Sequence, residues 1–147
     1  MKFSTKGRYG LRAMVDLAVY ANSGQVALNS IADRQNISLN YLEQVFSALR
    51  KAGLVKSIKG AQGGYMLAKS PKLTTAGDIL RVLEGSLSII DEDEAFVKET
   101  VIRNCIKANI WEKIDEAVNA YVDSVTLEDL SRQYRKINGL DDFIYYI

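Results

Sequence analysis

The chain of 147 residues has no histidine, one cysteine (Cys105) and one proline. Without histidine, no Ser-His or Cys-His nucleophile pair can form, and no zinc site needing four N or S ligands from one chain can be built. No catalytic residue and no metal ligand is therefore assigned, and the chain is not expected to be an enzyme. A single thiol cannot close an internal disulfide, which fits a reducing compartment. One proline and ten glycines leave no room for collagen-like or proline-rich architecture. No apolar run approaches the roughly 18 residues of a membrane span, and the first residues lack an apolar signal core. These absences predict a cytoplasmic protein with no membrane partner.

What is present is unevenly distributed. Residues 1–72 hold 11 Lys and Arg against 3 Asp and Glu, a net of +8; residues 73–147 hold 8 against 15, a net of −7. Such a separation predicts two unlike surfaces, one of them suited to a polyanion. It also suggests a division into a basic unit, 1–72, and an acidic one, 73–147.

Apolar spacing predicts a helix over residues 5–22 and a short one over 28–34 with Leu28, Ile31 and Ala32 inward. After a turn at 35–37, Ser38 is a natural N-cap for a helix reaching about Ala52, with Leu42, Val45, Phe46 and Leu49 inward. Two short strands, 55–59 and 65–68, flank a glycine-rich turn. Thr75 to Asp78 forms a capping box before a helix at 79–84. A loop with the acidic run Asp91–Glu94 precedes a long helix over about 95–124, striped by Ile102, Ile106, Ile110, Ile114 and Tyr121. A short helix capped at Thr126 follows, and residues 143–147 read as an apolar strand or tail.

This order gives a mainly α fold with a small β-hairpin wing, a winged helix-turn-helix plus a long helix. On the second helix of the pair, Asn40, Glu43, Gln44, Ser47 and Lys51 lie opposite the apolar stripe. Gln can pair bidentately with adenine, and Glu can accept from the cytosine amino group. Lys56, Lys59 and the tip Gly60, Gly63 and Gly64 make a basic loop of little bulk, suited to a narrow minor groove. Lys2, Ser4, Thr5, Lys6, Arg8 and Arg12 add a basic N-terminus able to bond phosphates, and Arg50 belongs to the same basic set. The reading is a regulator that binds double-stranded DNA. The alternative is a winged-helix interaction module whose acidic half binds an enzyme without touching DNA.

Lys2-Phe-Ser-Thr-Lys-Gly-Arg-Tyr-Gly10, Tyr41-Leu-Glu-Gln44, Lys59-Gly-Ala-Gln-Gly-Gly-Tyr65 and Ala76-Gly-Asp-Ile-Leu-Arg-Val-Leu-Glu-Gly85 resemble the Rrf-two family of bacterial winged-helix transcription regulators. The resemblance implies a homodimer joined through the long helix, with Ile102, Ile106, Ile110, Trp111, Ile114 and Tyr121 at the join. It implies that Glu43 and Gln44 read bases, that Ser38, Asn40 and Tyr41 hold phosphates, and that Lys59 enters the minor groove. Cluster-binding members carry three cysteines after Gly85, where this chain has only Cys105, so no cofactor is expected. Ala52-Gly-Leu-Val-Lys-Ser57, Thr126-Leu-Glu-Asp-Leu130 and the Tyr146-Ile147 ending resemble the branch that represses cysteine metabolism. That likeness implies a repressor controlled through O-acetylserine sulfhydrylase. Cys105, beside Ile102 and Ile106, reads as a buried thiol, with a redox role as the sharper reading.

Overall fold

A computed structural model describes residues 2–90 and 98–139. The acidic run Asp91–Glu94 and the expected tail at 143–147 lie outside the described residues. Helix α1 spans Thr5–Tyr20, α2 Leu28–Gln35 and α3 Leu39–Lys51. Strands β1 (Val55–Ile58) and β2 (Gly64–Leu67) pair antiparallel with Val55 opposite Leu67. Helix α4 (Ala76–Glu84) follows, then α5 (Val101–Ile106), a π-turn (Lys107–Trp111), α6 (Glu112–Ser124) and α7 (Leu127–Ile137).

Local chemistry sets most of these boundaries. The hydroxyl of Ser38 accepts the amide of Tyr41 at 3.2 Å, so α3 begins where its cap stands. Thr75 with Asp78, and Thr126 with Asp129, make reciprocal capping boxes. The Thr75 box starts α4 at Ala76, three residues before the expected Ile79. Ala27 caps α2 without a side-chain bond. The turn between α2 and α3 passes through Asn36 at φ 54°, a left-handed conformation that asparagine tolerates better than most residues.

The long helix departs from expectation at its start. Residues 98–100 are not helical, and the first turn is set at Thr100, whose hydroxyl accepts the amide of Arg103 at 3.1 Å. Apolar periodicity marks a helix body but not its first residue, so the expected start at 95 ran past this cap. Residues 101–124 then run on continuously, with a π-turn in the middle.

The core gathers Met14 and Leu17 of α1, Ile31 of α2, and Leu42, Phe46 and Leu49 of α3 with Ile79 of α4, all fully buried. Leu127 of α7 joins the same cluster. At roughly 25 cal/mol per Å² of apolar surface removed from water, side chains of this size each contribute about 1.5–3 kcal/mol. Burial of the Leu42, Val45, Phe46 and Leu49 stripe fixes which face of α3 is left outside.

Candidate nucleic-acid interface

The outer face of α3 carries Asn40, Glu43 and Gln44, all exposed, with Ser47 half-buried; together they line one shallow open concavity. Arg50 and Lys51, also exposed, supply positive charge in the last turn. The Phe46 ring packs on Tyr65 of β2 at 4.9 Å, which seats the helix against the hairpin. Tyr41 is half-buried, edge-on to Tyr9 of α1 at 5.9 Å.

The hairpin bears Lys56 and Lys59 exposed. Val26 exchanges two backbone hydrogen bonds with Tyr65, at 2.9 and 2.8 Å, adding a third short edge to the wing. Gln25 donates to the Gln62 carbonyl at 2.6 Å and ties the tip to that edge. The three glycines therefore differ in what they do. Gly60 sits at φ 111° with open space around it. A Cβ on Gly64 would overlap the Val26 carbonyl, and one on Gly63 the Ile58 carbonyl. Gly63 and Gly64 are thus needed for the wing's own packing, and only Gly60 is free of such contacts.

At the N-terminus, Lys2, Thr5, Lys6 and Arg8 are exposed. Ser4 has a different occupation. Its hydroxyl caps α1 by accepting the Gly7 amide at 3.2 Å and donates to Glu84 at 2.6 Å, while its own amide donates to the same oxygen at 2.8 Å.

Sequence reasoning missed the group that ties the first helix of the pair in place. Asp16 of α1, 3% exposed, accepts from Arg34 at 2.7 and 2.9 Å and from Gln35 at 2.9 Å. The hydrogen bond to Asp16 raises the Arg34 pKa further, so the guanidinium stays charged. An acidic residue inside the apolar stripe of α1 was the signal available. Likewise Arg81 of α4 grips Asp123 of α6 at 2.6 and 2.9 Å and Asn119 at 2.7 Å, joining α4 to the long helix. The Arg81 hydrogen bond holds the Asp123 carboxyl below the usual carboxylate range.

The opposite face of the long helix carries a row of exposed apolar side chains. Ile102 is 74% and Tyr121 70% exposed, and Ile106, Ile110 and Ile114 are exposed as well, with Trp111 half-buried. Cys105 is also exposed, not buried as expected, because Ile102 and Ile106 beside it are themselves exposed among the described residues.

The model of the Rrf2 family, described as "Iron-dependent Transcriptional regulator", matches residues 3–133. The chain belongs to the Rrf2 family of transcriptional regulators. It is 50% identical over 133 residues to the HTH-type transcriptional regulator CymR of Bacillus subtilis (strain 168), covering 89% of this chain and 90% of that one. It is 38% identical to IscR of Aliivibrio salmonicida over 88% of this chain and 77% of the relative. The solved structure of B. subtilis CymR, "the Global Cysteine Regulator", superposes with a TM-score of 0.78 at 48% identity, over 90% of this chain and 98% of that one. The Rrf2 frame accounts for the fold: a mostly helical chain with one antiparallel hairpin.

Iron dependence, part of the family description, finds a poor donor set in this Rrf2 chain. One cysteine and no histidine fall short of the four ligands of a [2Fe–2S] centre, even counted over two chains. Among the described residues no three His, Cys, Asp or Glu side chains converge on a metal position.

Proposed function

We propose that this Rrf2 protein acts as a homodimer that binds a near-palindromic DNA operator and represses genes of cysteine or sulfur metabolism. The observation that carries the reading is the polar outer face of α3, Asn40, Glu43, Gln44 and Ser47, set over a fully buried apolar face. Glu43 and Gln44 read base edges in the major groove. Asn40, Ser38 and Tyr41 hold phosphates at the start of α3, where helix N–H groups favour anions. Ser47, Arg50 and Lys51 extend this contact along α3, and Lys56 and Lys59 follow the hairpin into the minor groove around Gly60. Lys2, Thr5, Lys6 and Arg8 add phosphate contacts, while Ser4 serves as the cap and Glu84 partner described above.

The bare stripe Ile102, Ile106, Ile110, Ile114 and Tyr121, flanked by Trp111, is the dimer seam, because apolar surface of this extent gains most by being covered. Residues 1–72 then form the DNA-facing unit and 73–147 the joining unit. The work is that of a cytoplasmic DNA-binding protein, not an enzyme. The likeness to CymR supports the regulon, and O-acetylserine sulfhydrylase is the partner to test.

Genome-wide footprinting with the purified chain, with and without O-acetylserine sulfhydrylase, tests the reading. Protected inverted repeats upstream of sulfur genes, strengthened by the enzyme, are expected. Sites elsewhere in the genome would overturn the regulon, and protection unaltered by the enzyme would remove the partner.

A further inference from the structure

Three residues on one stripe of α1, Tyr9, Arg12 and Asp16, stand three and four positions apart and hold the other two helices of the reading head. Tyr9 meets Tyr41 of α3 edge-on, with the ring planes at 76°. Arg12 donates to the carbonyl of Gln35, the last residue of α2. Asp16 takes the side chains of Arg34 and Gln35. Arg12 stands between the other two and also stacks over the Tyr9 ring at 5.0 Å. Its guanidinium therefore touches both the end of α2 and the ring that leans on the first turn of α3.

The last carbonyls of a helix have no partner within it. At the end of α2, the Ala32 carbonyl takes the amides of Asn36 and Ile37. The Gln35 carbonyl takes Arg12, a charge-assisted bond at the negative end of the helix. The chain then turns through the left-handed Asn36, and Ser38 starts α3. We infer that Arg12 is a positioning residue, which fixes the turn between α2 and α3 and so aims Glu43 and Gln44, instead of neutralising a phosphate. The inference rests on the proposed reading of bases by α3. Glu43 and Gln44 follow Tyr41 within one helical turn, so a tilt at the start of α3 carries them with it. A hydrogen bond to a base edge weakens steeply with a poor angle or length, whereas attraction to a phosphate falls only gradually with distance. Loss of Arg12 therefore lowers discrimination between sequences more than it lowers general affinity.

The test uses Arg12→Met, which removes the guanidinium and keeps most of the stem, and Tyr9→Leu, which removes the ring and no charge. In the full chain without DNA, amide exchange of Ile37, Tyr41 and Leu42 is expected to quicken at least threefold in Arg12→Met, with the Leu130 amide of α7 unchanged. On a footprinted operator and its scrambled duplex, both variants are expected to lower the ratio of affinities at least threefold, with the wild-type log–log salt slope. A phosphate contact would instead weaken both duplexes alike and reduce the slope by about 1 per chain, and that result in Arg12→Met would overturn the inference. So would wild-type exchange at the turn, equal quickening at Leu130, or a wild-type affinity ratio in Arg12→Met. If Arg12→Met does not fold, the affinity ratio of Tyr9→Leu decides by the same threefold criterion. A wild type with no preference for its operator would overturn the reading of α3 itself, and it shows without any variant.

Discussion

One oxygen of Glu84 accepts both the amide and the hydroxyl of Ser4, residues 80 positions apart in the chain. This latch closes the start of α1 onto the end of α4, and two glycines make it possible. A Cβ on Gly7 would overlap Glu84 Oε1, and one on Gly10 would overlap Leu83, which is itself buried. Overpacking of a buried contact costs about 1–3 kcal/mol. Gly10→Val is therefore expected to lower the unfolding free energy by that amount, read as a lower urea midpoint with an unchanged slope. A midpoint equal to wild type would mean that α1 and α4 are free to move apart.

The contrast with the caps explains what could be read from sequence. Ser38, Thr75 with Asp78, and Thr126 with Asp129 act within four residues, so their roles were legible without a fold. The buried face of α3 followed from spacing alone. Gly7, Gly10, Asp16 and Arg81 act on partners far along the chain, and no local pattern names those partners. Cys105 was misjudged for a related reason: an apolar stripe says that a face is covered, not whether its own chain does the covering.

The two ends of the reading surface should respond differently to substitution. Gln44→Ala is expected to cost about 1–3 kcal/mol of discrimination at one base pair per half-site and to flatten preference there. Lys59→Ala is expected to weaken all duplexes alike and reduce the magnitude of the log–log salt slope by about 1 per chain. Binding of randomised duplexes followed by sequencing separates the two. A Gln44→Ala preference profile identical to wild type would remove Gln44 from base reading.

Charge placed in the exposed stripe should separate the subunits. Ile106→Glu combined with Ile110→Glu puts two carboxylates where apolar side chains meet in the dimer, and sedimentation at micromolar concentration is expected to give a single 16.4 kDa species. Retained helical circular dichroism would show that the loss is one of association. A dimer that survives both substitutions would place the seam elsewhere.

Acid should loosen the joint between α4 and α6 and the cap of α7. The hydrogen bond from Arg81 depresses the Asp123 pKa, and the Thr126 backbone amide, with the Thr126 hydroxyl, depresses that of Asp129. A carboxyl depressed in the folded state stabilises fully above its unfolded pKa, about 3.9 for Asp, and loses that contribution as pH falls through the folded value. Melting temperature is thus expected to fall as pH drops below about 4. Asp123→Asn is expected to lower it at pH 7 and make the acid loss shallower. Asp123 is exposed and Asp129 only half-buried, so added salt should shrink the effect. An Asp123→Asn chain with the wild-type pH profile would take this pair out of the joint.

Fluorescence anisotropy of the full chain on a footprinted operator and on its scrambled duplex, over a series of salt concentrations, tests the central claim most directly. The account predicts operator binding at least about 10³-fold tighter than to the scrambled duplex at physiological salt, steep salt dependence on both, and loss of the difference in Glu43→Ala/Gln44→Ala. Equal affinity for the two duplexes, or a double variant that still tells them apart, would contradict it.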